Sequence, residues 1–256
     1  PRAPGRASRR PRGTRKLPAT VPELPEVEIT ARLIGAAVRG AVVESTMAPG
    51  INALKTFDPP LHALDGKAIE GVRRIGKHLV VDVAGDLHVL VHLMSAGRLQ
   101  LYDKRASMRD RTSRLLIRLE DGRELRLREF GTKQAAWVKV LRGADLEADE
   151  AIARLGPEAW PDPPEDLAGR LAVPRPLHSV LRDQRVIAGI GRSWVDEILW
   201  TARLSPFKRG DDLSPEEAGT LRDAIRSVLG GALETYERTL SLPLPDKLPL
   251  PLQVHR

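Results

Sequence analysis

The spacing of apolar residues changes near residue 143, and this change most constrains what the chain can fold into. Between about residues 41 and 142, apolar and polar side chains alternate, as in the segment LHVLVHL at 87–93. The segments 115–119 and 124–128, separated by Asp121-Gly122, predict a β-hairpin with a tight turn. Because no helical pattern interrupts these strands, they predict an antiparallel sandwich and not a parallel α/β sheet.

Helical spacing occurs on both sides of this strand-rich region. One helix is predicted where Val27, Ala31, Ile34 and Val38 recur every three or four residues. After the proline-containing stretch 148–165, which we expect to be a linker, helical spacing returns, and Ser214-Pro215 predicts a capped helix start. The predicted class is therefore α+β, with an N-terminal antiparallel β-sandwich and an N-terminal helix at 22–147, followed by an all-helical domain at 166–256.

The net charge of +7 lies entirely in the first 21 residues, which hold seven Arg and Lys residues and no acid. This segment is rich in Pro, Gly and Arg and has no apolar periodicity, so we expect it to be disordered. It is either a basic arm that binds DNA or a flexible tail without a role, and the latter includes sequence that is not translated.

Several classes of protein are excluded by what the sequence lacks. It contains no cysteine, which excludes disulfides, thiolate catalysis and zinc sites built on cysteine. No apolar run approaches the ~20 residues of a membrane span. No secretory signal pattern opens the sequence, and we therefore expect an intracellular protein.

Two short segments resemble a known enzyme family. The first is Pro22-Glu23-Leu24-Pro25-Glu26-Val27-Glu28, and the second is DQRVIAGIG at 183–191, which leads into a predicted helix at 192–199. Together they resemble the formamidopyrimidine-DNA glycosylase / endonuclease VIII family of base-excision repair enzymes, and the stretch 51–60 resembles an actinobacterial branch of it. The resemblance covers residues 22–256 and implies that the helical domain is a helix–two-turn–helix DNA-binding domain.

The resemblance implies that Pro22 is the nucleophile and that Glu23 is the general acid or base. A free α-amine has a pKa of about 8, against about 10.4 for lysine, so a useful fraction is neutral at pH 7 and can attack a sugar C1′. The resulting iminium acidifies the neighbouring C–H, and cleavage of the abasic strand by β-elimination can follow. In isolation, Pro22-Glu23 equally suits a turn at the entrance of a helix.

The resemblance also assigns residues that contact DNA. Lys77, at an expected strand start, falls at the family's catalytic or phosphate-binding lysine, and His92 falls at a phosphate-contacting histidine. The alternatives are a solvated surface lysine and a histidine on the polar face of a strand. An enzyme that acts on a duplex base must extrude the base and fill the gap. The resemblance makes Phe130 the wedge and Arg128 the reader of the unpaired base, whereas Phe130 by itself equally suits a core position.

Several residues depart from the family pattern. Ser95 stands where the family inserts a methionine, and Met94 lies one place away. Glu129 stands in place of an arginine, and an acid close to phosphate should weaken binding. The turn Gly189-Ile190-Gly191 is expected to offer backbone N–H groups to a phosphate, but Arg192 follows it in place of an asparagine.

The four-cysteine zinc finger with which the family usually ends cannot form from these 256 residues, because none of them is cysteine. We therefore expect neither a metal nor a cofactor.

We predict a base-excision-repair DNA glycosylase and abasic-site lyase that removes oxidised bases from damaged double-stranded DNA through an imine at Pro22. It is expected to be a monomer in the bacterial cytoplasm, associated with the nucleoid. One alternative is a catalytically inactive or degraded DNA-binding relative, which the departures from the family favour. Another is a structural nucleic-acid protein, which leaves the heptapeptide at Pro22 unexplained.

An imine-forming proline must be a free secondary amine, but Val21 precedes Pro22. Val21 stands where the family has its initiator methionine, and valine can be encoded by GUG, which bacteria also use as a start codon. We therefore expect translation to begin at position 21 and removal of the initiator to expose Pro22. The alternative is a genuine basic arm, either cleaved later or retained on an inactive protein.

Overall fold

A computed structural model of the protein describes residues 21–50, 52–107, 110–130 and 134–254. The predicted basic tail therefore lies outside the described residues except for Val21, as do Ile51 and Gly131 of the segments discussed above. Within the described ranges, no helix is long and apolar enough to cross a membrane.

The chain forms strands first and helices second, with one helix ahead of the strands. The strands are β1 (Val43–Met47), β2 (Ile69–Ile75), β3 (His78–Val83), β4 (Leu87–His92), β5 (Gly97–Tyr102), β6 (Ser113–Leu119), β7 (Glu124–Glu129) and β8 (Trp137–Arg142). The helices are α1 (Leu24–Val38), α2 (Asp145–Ala148), α3 (Glu150–Ala153), α4 (Leu167–Leu171), α5 (Leu177–Val180), α6 (Arg192–Thr201) and α7 (Pro215–Thr239), with short 3-10 turns at Leu61–Leu64 and Gly210–Asp212.

The strands form two four-stranded sheets, in the orders β1-β6-β7-β5 and β2-β3-β4-β8, and all pairs are antiparallel. The predicted β-sandwich with an N-terminal helix, followed by a helical part, is confirmed. The predicted hairpin is the pair β6–β7, whose turn contains Gly122 at φ 90°. The alternating residues of β4, Leu87, Val89 and Val91, face the core between the sheets and are at most 3% exposed.

The sheet β2-β3-β4-β8 is covered on its outer face as well. Leu90 breaks the simple alternation of β4, yet it is fully buried. It packs with Val80 and Leu141 under Leu146 of α2, so the short helices after β8 shield a second apolar layer. These helices lie partly within the stretch expected to be a linker, 148–165. The same stretch also contacts the helical part from residue 166 onward, called the helical lobe below, because the Gly156 N–H donates to the Gln184 carbonyl at 2.8 Å.

The N-terminal helix α1 packs against both lobes. Its predicted apolar face, Val27, Ala31, Ile34 and Val38, is at most 2% exposed and belongs to the sandwich core. Its first residue, Leu24, instead belongs to the core of the helical lobe. The start of α1 is therefore the point at which the two hydrophobic cores meet.

The proline-rich segment that follows α7 has no regular helix, as its composition predicts, and it contacts both lobes. The side chain of Gln100 in β5 donates to the Leu244 carbonyl at 2.9 Å. The buried carboxylate of Glu197 in α6 accepts the backbone N–H groups of Gln253 at 3.0 Å and Val254 at 2.7 Å. The segment thus ties the sandwich to the helical lobe.

Helix α7 begins after Ser214, the N-cap that the sequence predicts, and the structure shows a capping box there. The Ser214 hydroxyl accepts the Glu217 N–H at 3.2 Å, and the Glu217 carboxylate accepts the Ser214 N–H at 2.9 Å. Ser214→Ala should lower the free energy of unfolding by about 1 kcal/mol, because it leaves one N–H of the first turn without its partner. Urea denaturation measures this loss.

The matched control for this prediction is Thr235→Ala on the same helix, where the hydroxyl donates to the Gly231 carbonyl in mid-helix. It should change stability little, because alanine is the better helix former. An equal loss in both variants would contradict the capping role of Ser214.

Candidate active site

The carboxylate of Glu23 lies on the N-terminus of helix α6. Its oxygens accept the backbone N–H groups of Ser193 at 2.9 Å and Trp194 at 3.4 Å. Glu23 is also the N-cap residue of α1, so one side chain connects the start of a sandwich helix to the start of a helix in the other lobe. Partial positive charge at a helix N-terminus favours a carboxylate in this position.

The turn that precedes α6 is shaped to receive this carboxylate. A Cβ on Gly191 would lie 2.2 Å from the Glu23 carboxyl carbon, and a Cβ on Gly189 would lie 2.4 Å from Leu24 Cδ1. Gly189 also has φ +104°, a conformation that favours glycine, and its carbonyl accepts the Leu24 N–H at 3.1 Å. The absence of a side chain at both glycines therefore allows the turn to contact the Pro22-Glu23-Leu24 segment.

These contacts correct the expectation that the turn offers its N–H groups to a phosphate. The Gly189 N–H donates to the Gln184 side chain at 2.9 Å, and those of Ser193 and Trp194 are used by Glu23. The N-terminus of α6 therefore already binds an anion of the protein itself. Arg192, which is also a predicted phosphate contact, has an exposed side chain at the start of α6.

Burial raises the pKa of Glu23 above its ordinary value, whereas the nearby Lys77 ammonium and the backbone donors of α6 oppose this rise. Glu23 is therefore more easily protonated than an exposed glutamate. A carboxyl group with a raised pKa is better suited to donate a proton as well as to accept one, as general acid–base chemistry requires.

A second glutamate, Glu26, is buried one turn further along α1. It accepts hydrogen bonds from the Glu23 backbone N–H at 2.9 Å, the Tyr236 hydroxyl at 2.8 Å and the Trp194 indole N–H at 3.2 Å. Burial, together with the neighbouring Glu23 carboxylate, raises the pKa of Glu26 to about 7. The sequence did not single out Glu26, although the spacing of three residues between Glu23 and Glu26 is that of the capping box the structure shows.

Pro22 is buried beside this pair of carboxylates. A cavity of about 20 Å³ lies against it, lined by Glu26, Thr30, Leu93 and Arg98 of the sandwich and closed by residues 244–248. This volume holds about one water molecule. The cavity in this conformation is thus a site for a water next to Pro22 and is too small for a nucleobase.

Lys77 lies in the two-residue turn between β2 and β3, not within a strand. Burial lowers the pKa of Lys77 from its ordinary value; the Glu23 carboxylate opposes this change, and Arg182 adds to it. Lys77 and Glu23 are therefore electrostatic neighbours, as two groups of one site should be. Arg182 was not singled out by sequence reasoning, since nothing in its local pattern distinguishes it from other exposed arginines.

His92 ends strand β4 beside this group. Burial and the Lys77 charge lower the pKa of His92 to about 4, so its imidazole is neutral at pH 7. Its Nδ1 accepts the Met94 N–H at 2.9 Å, which leaves the proton on Nε2 as a donor. The ring stacks on Trp137 with centroids 5.5 Å apart, and this contact holds its orientation.

Arg128 and Phe130 form a second group on the opposite sheet. The Arg128 guanidinium lies over the Phe130 ring at 4.5 Å, and it donates to the Tyr102 hydroxyl at 2.6 Å and to Thr112 Oγ1 at 2.9 Å. The Phe130 N–H donates to the Ala96 carbonyl at 3.3 Å. The loop at Phe130 and the loop that contains Met94 and Ser95 are therefore neighbours. Phe130 is half-buried and therefore not a core residue.

Glu129 does not face the same way as its neighbours. It is 1% exposed, and its carboxylate accepts the backbone N–H groups of Ala135 at 2.7 Å and Ala136 at 3.0 Å. The expectation that this acid weakens phosphate binding is therefore wrong, because the charge is turned into the protein. Met94 has φ +49° and is half-buried, whereas Ser95 is exposed at the tip of the adjacent loop.

The described residues include no group of three or more His, Cys, Asp or Glu side chains that could hold a metal ion. The residues present do not fit the family's four-cysteine zinc site, because the sequence has no cysteine. We derive no chemical step through a metal.

The raised pKa of Glu26 predicts a pH dependence of stability. Between pH 4.5 and about 7 the folded protein keeps a proton that the unfolded chain releases, so the free energy of unfolding should fall as pH rises through this window. Glu26→Gln should flatten this decline by up to about 3 kcal/mol. Urea unfolding at pH 5, 6 and 7 measures this decline. The control is Glu44→Gln, a change at a half-exposed glutamate, which should keep the wild-type slope. Parallel slopes for wild type and Glu26→Gln would refute the assignment.

Two family models match the chain. The formamidopyrimidine-DNA glycosylase N-terminal domain matches residues 21–132, and the formamidopyrimidine-DNA glycosylase H2TH domain matches residues 163–243. The first match contains Pro22, Glu23, Lys77 and strands β1 to β7 of the sandwich, and the second contains the glycine turn and helices α6 and α7.

Curated relatives and solved structures agree with these matches. The chain is 33% identical over 218 residues to the formamidopyrimidine-DNA glycosylase of Moorella thermoacetica, which covers 82% of this chain and 77% of the relative. It is 34% identical over 222 residues to that of Carboxydothermus hydrogenoformans, covering 84% and 78%. A complex of the LlFpg protein with a THF-DNA and an inhibitor superposes with a TM-score of 0.76 at 25% identity, covering 83% of this chain and 80% of that one.

A complex of the wild-type Lactococcus lactis Fpg with a DNA that contains N7-benzyl-Fapy-dG has the same fold, with a TM-score of 0.77 at 24% identity and coverage of 87% and 83%. The segments at Pro22 and at the glycine turn thus lead to the same assignment as the whole-chain comparisons. The chain belongs to the formamidopyrimidine-DNA glycosylase family of base-excision-repair DNA glycosylases.

Proposed function

We propose that this chain removes oxidised bases from double-stranded DNA and then cleaves the abasic strand, with Pro22 as the nucleophile. The observation that carries this proposal is the position of Glu23. Its carboxylate follows Pro22 directly, is fixed by two backbone N–H groups of α6 and has a raised pKa because it is buried. A group of this kind beside an amine is suited to move protons during attack on a sugar.

The reaction follows from the amine. The neutral Pro22 nitrogen attacks C1′ of the damaged nucleoside, the bond from C1′ to the base breaks, and the base leaves with a proton. The C1′–O4′ bond of the sugar then breaks, O4′ takes a proton, and C1′ is left as an iminium with the Pro22 nitrogen, which makes the C2′ proton acidic. Loss of that proton and of the 3′ phosphate cleaves the strand by β-elimination, and water releases the amine.

The remaining site residues are proposed to hold the DNA. We propose that Lys77 and the neutral His92 contact the phosphate at the lesion, because Lys77 is an electrostatic neighbour of both Glu23 and His92, and His92 keeps an Nε2 donor. Phe130, stacked under Arg128, is suited to fill the gap left by the extruded base. Arg192 supplies a phosphate contact at the start of α6, while Gly189 and Gly191 let the turn approach the catalytic segment.

The predicted domain limits remain proposals, with a catalytic sandwich at 22–147, a linker at 148–165 and a helix–two-turn–helix domain at 166–256. We further propose that the protein acts as a monomer in the bacterial cytoplasm, on nucleoid DNA, and without a metal or other cofactor. The curated relatives named above are bacterial proteins of the same family.

Borohydride trapping on duplex DNA with an abasic site tests the proposal. A chain whose first residue is Pro22 should form a covalent protein–DNA adduct, because borohydride reduces the imine to a stable amine. The matched control is the same chain with Val21 retained before Pro22, in which the nitrogen is an amide without a nucleophilic lone pair.

The expected result is an adduct for the first chain and none for the second. Adducts of equal yield in both chains would place the nucleophile elsewhere. Absence of an adduct in both, with binding to the abasic duplex retained, would replace the enzyme by a DNA-binding relative without activity.

A further inference from the structure

The segment 155–160 lies between two turns that the proposed function uses. On one side it pairs with the glycine turn of the helical lobe, where the Ala188 N–H donates to the Pro157 carbonyl at 2.8 Å and the Ala159 N–H to the Ala188 carbonyl at 3.0 Å. On the other side Leu155 would meet a Cβ on Gly76, the residue before Lys77, at 3.0 Å. Segment 155–160, called the spacer below, is therefore packed between the Lys77 turn and the helical lobe.

Glu158 in this spacer binds the Lys77 turn directly. One carboxylate oxygen accepts the Gly76 N–H at 2.7 Å, and the other pairs with the Arg74 guanidinium. Arg74 in turn donates to the Gly76 carbonyl at 3.0 Å and to Glu28 at 2.9 Å, and its side chain is 5% exposed. Both backbone polar groups of Gly76 are thus held, one by Glu158 and the other by the arginine that Glu158 neutralises.

Gly76 has φ +57°, a conformation that favours glycine, and it lies within a turn of only two residues. The backbone of Lys77 follows it immediately, so the direction of the lysine side chain depends on the orientation of the Gly76 peptide units. Glu158 itself is too far along the chain to be part of β2 or β3, and it reaches this turn only because the spacer is packed between the lobes.

We propose that Glu158 is a positioning residue that aims Lys77 at the phosphate beside the lesion. This inference rests on the proposed function, in which Lys77 contacts that phosphate. Glu158 touches neither the substrate nor Pro22 in this proposal, and it acts through the Gly76 N–H and Arg74. Through Glu158, the distance between the two lobes thereby affects the direction of the Lys77 side chain.

The sign of the effect separates this role from simple electrostatics. Removing an acid near bound DNA should tighten binding, because it removes repulsion of the phosphates. Removing a residue that aims Lys77 should weaken binding, because the charge-assisted contact to phosphate is lost. Glu158→Ala is therefore expected to weaken DNA binding, although the loss of its negative charge alone would tighten it.

The test measures affinity of the full chain for a duplex with a tetrahydrofuran abasic-site analogue, at one fixed salt concentration. Lys77→Ala should weaken binding about tenfold, as expected for one charged hydrogen bond, and Glu158→Ala should weaken it about fivefold. In the Lys77→Ala background, the second change should have less than a twofold effect, because there is no cation left to aim.

Two further variants make the result specific. Glu158→Gln keeps an oxygen that can accept the Gly76 N–H, and it should return affinity to within about twofold of wild type. The control Glu44→Ala removes an acid of matched exposure, 38% against 36%, that also pairs with an arginine but lies on β1, and it should not weaken binding. Urea unfolding of each variant reports whether stability has changed.

Independent effects of Glu158→Ala and Lys77→Ala, or tighter binding by Glu158→Ala, would overturn the positioning role. If Lys77→Ala alone leaves affinity unchanged, Lys77 does not contact the phosphate and the inference falls with it. The imine chemistry at Pro22 is decided separately by borohydride trapping, so failure of one is distinguishable from failure of the other.

Discussion

The structure depends on one carboxylate, that of Glu23, which lies on the N-terminus of α6 while its backbone begins α1. This contact joins the sandwich to the helical lobe through backbone N–H groups, which cannot move independently of their helix. Gly189 and Gly191 are required because any side chain there would enter the space of Leu24 or Glu23. The contact between the lobes and the segment proposed to be catalytic therefore share the same few atoms, and a change in lobe spacing would change the candidate site.

Burial of two glutamates so close together has an electrostatic consequence. Burial and the Glu23 carboxylate raise the cost of ionising Glu26, and three hydrogen-bond donors to Glu26 offset only part of that cost. The donors come from α1, α6 and α7, so a protonation change at Glu26 affects contacts in both lobes. Above pH 4.5 this arrangement lowers the free energy of unfolding. Such a loss is typical of sites where the pKa values of titratable groups are shifted to suit a reaction.

The sequence predicted the elements and the family better than the contacts between lobes. The alternation of β4, the Asp121-Gly122 hairpin and the Ser214 cap are local signals, because residues close together in the chain carry each of them. The heptapeptide at Pro22 and the glycine turn predicted the family. Glu158 gave no such signal, because its partner Gly76 lies 82 residues away and only packing brings the two together. Glu129 was misjudged for the same reason, since its inward direction depends on the backbone of Ala135 and Ala136.

The central claim is that one carboxyl group both joins the lobes and titrates as the acid–base of the site. A pH titration followed by NMR tests it, with the Glu23 side-chain carbon and the Ser193 and Trp194 backbone N–H groups observed in the same samples. The account predicts that all three signals move together, with an apparent pKa above the ordinary 4.5 of a glutamate. Backbone N–H signals that stay constant while Glu23 titrates, or a Glu23 transition at or below pH 4.5, would contradict it.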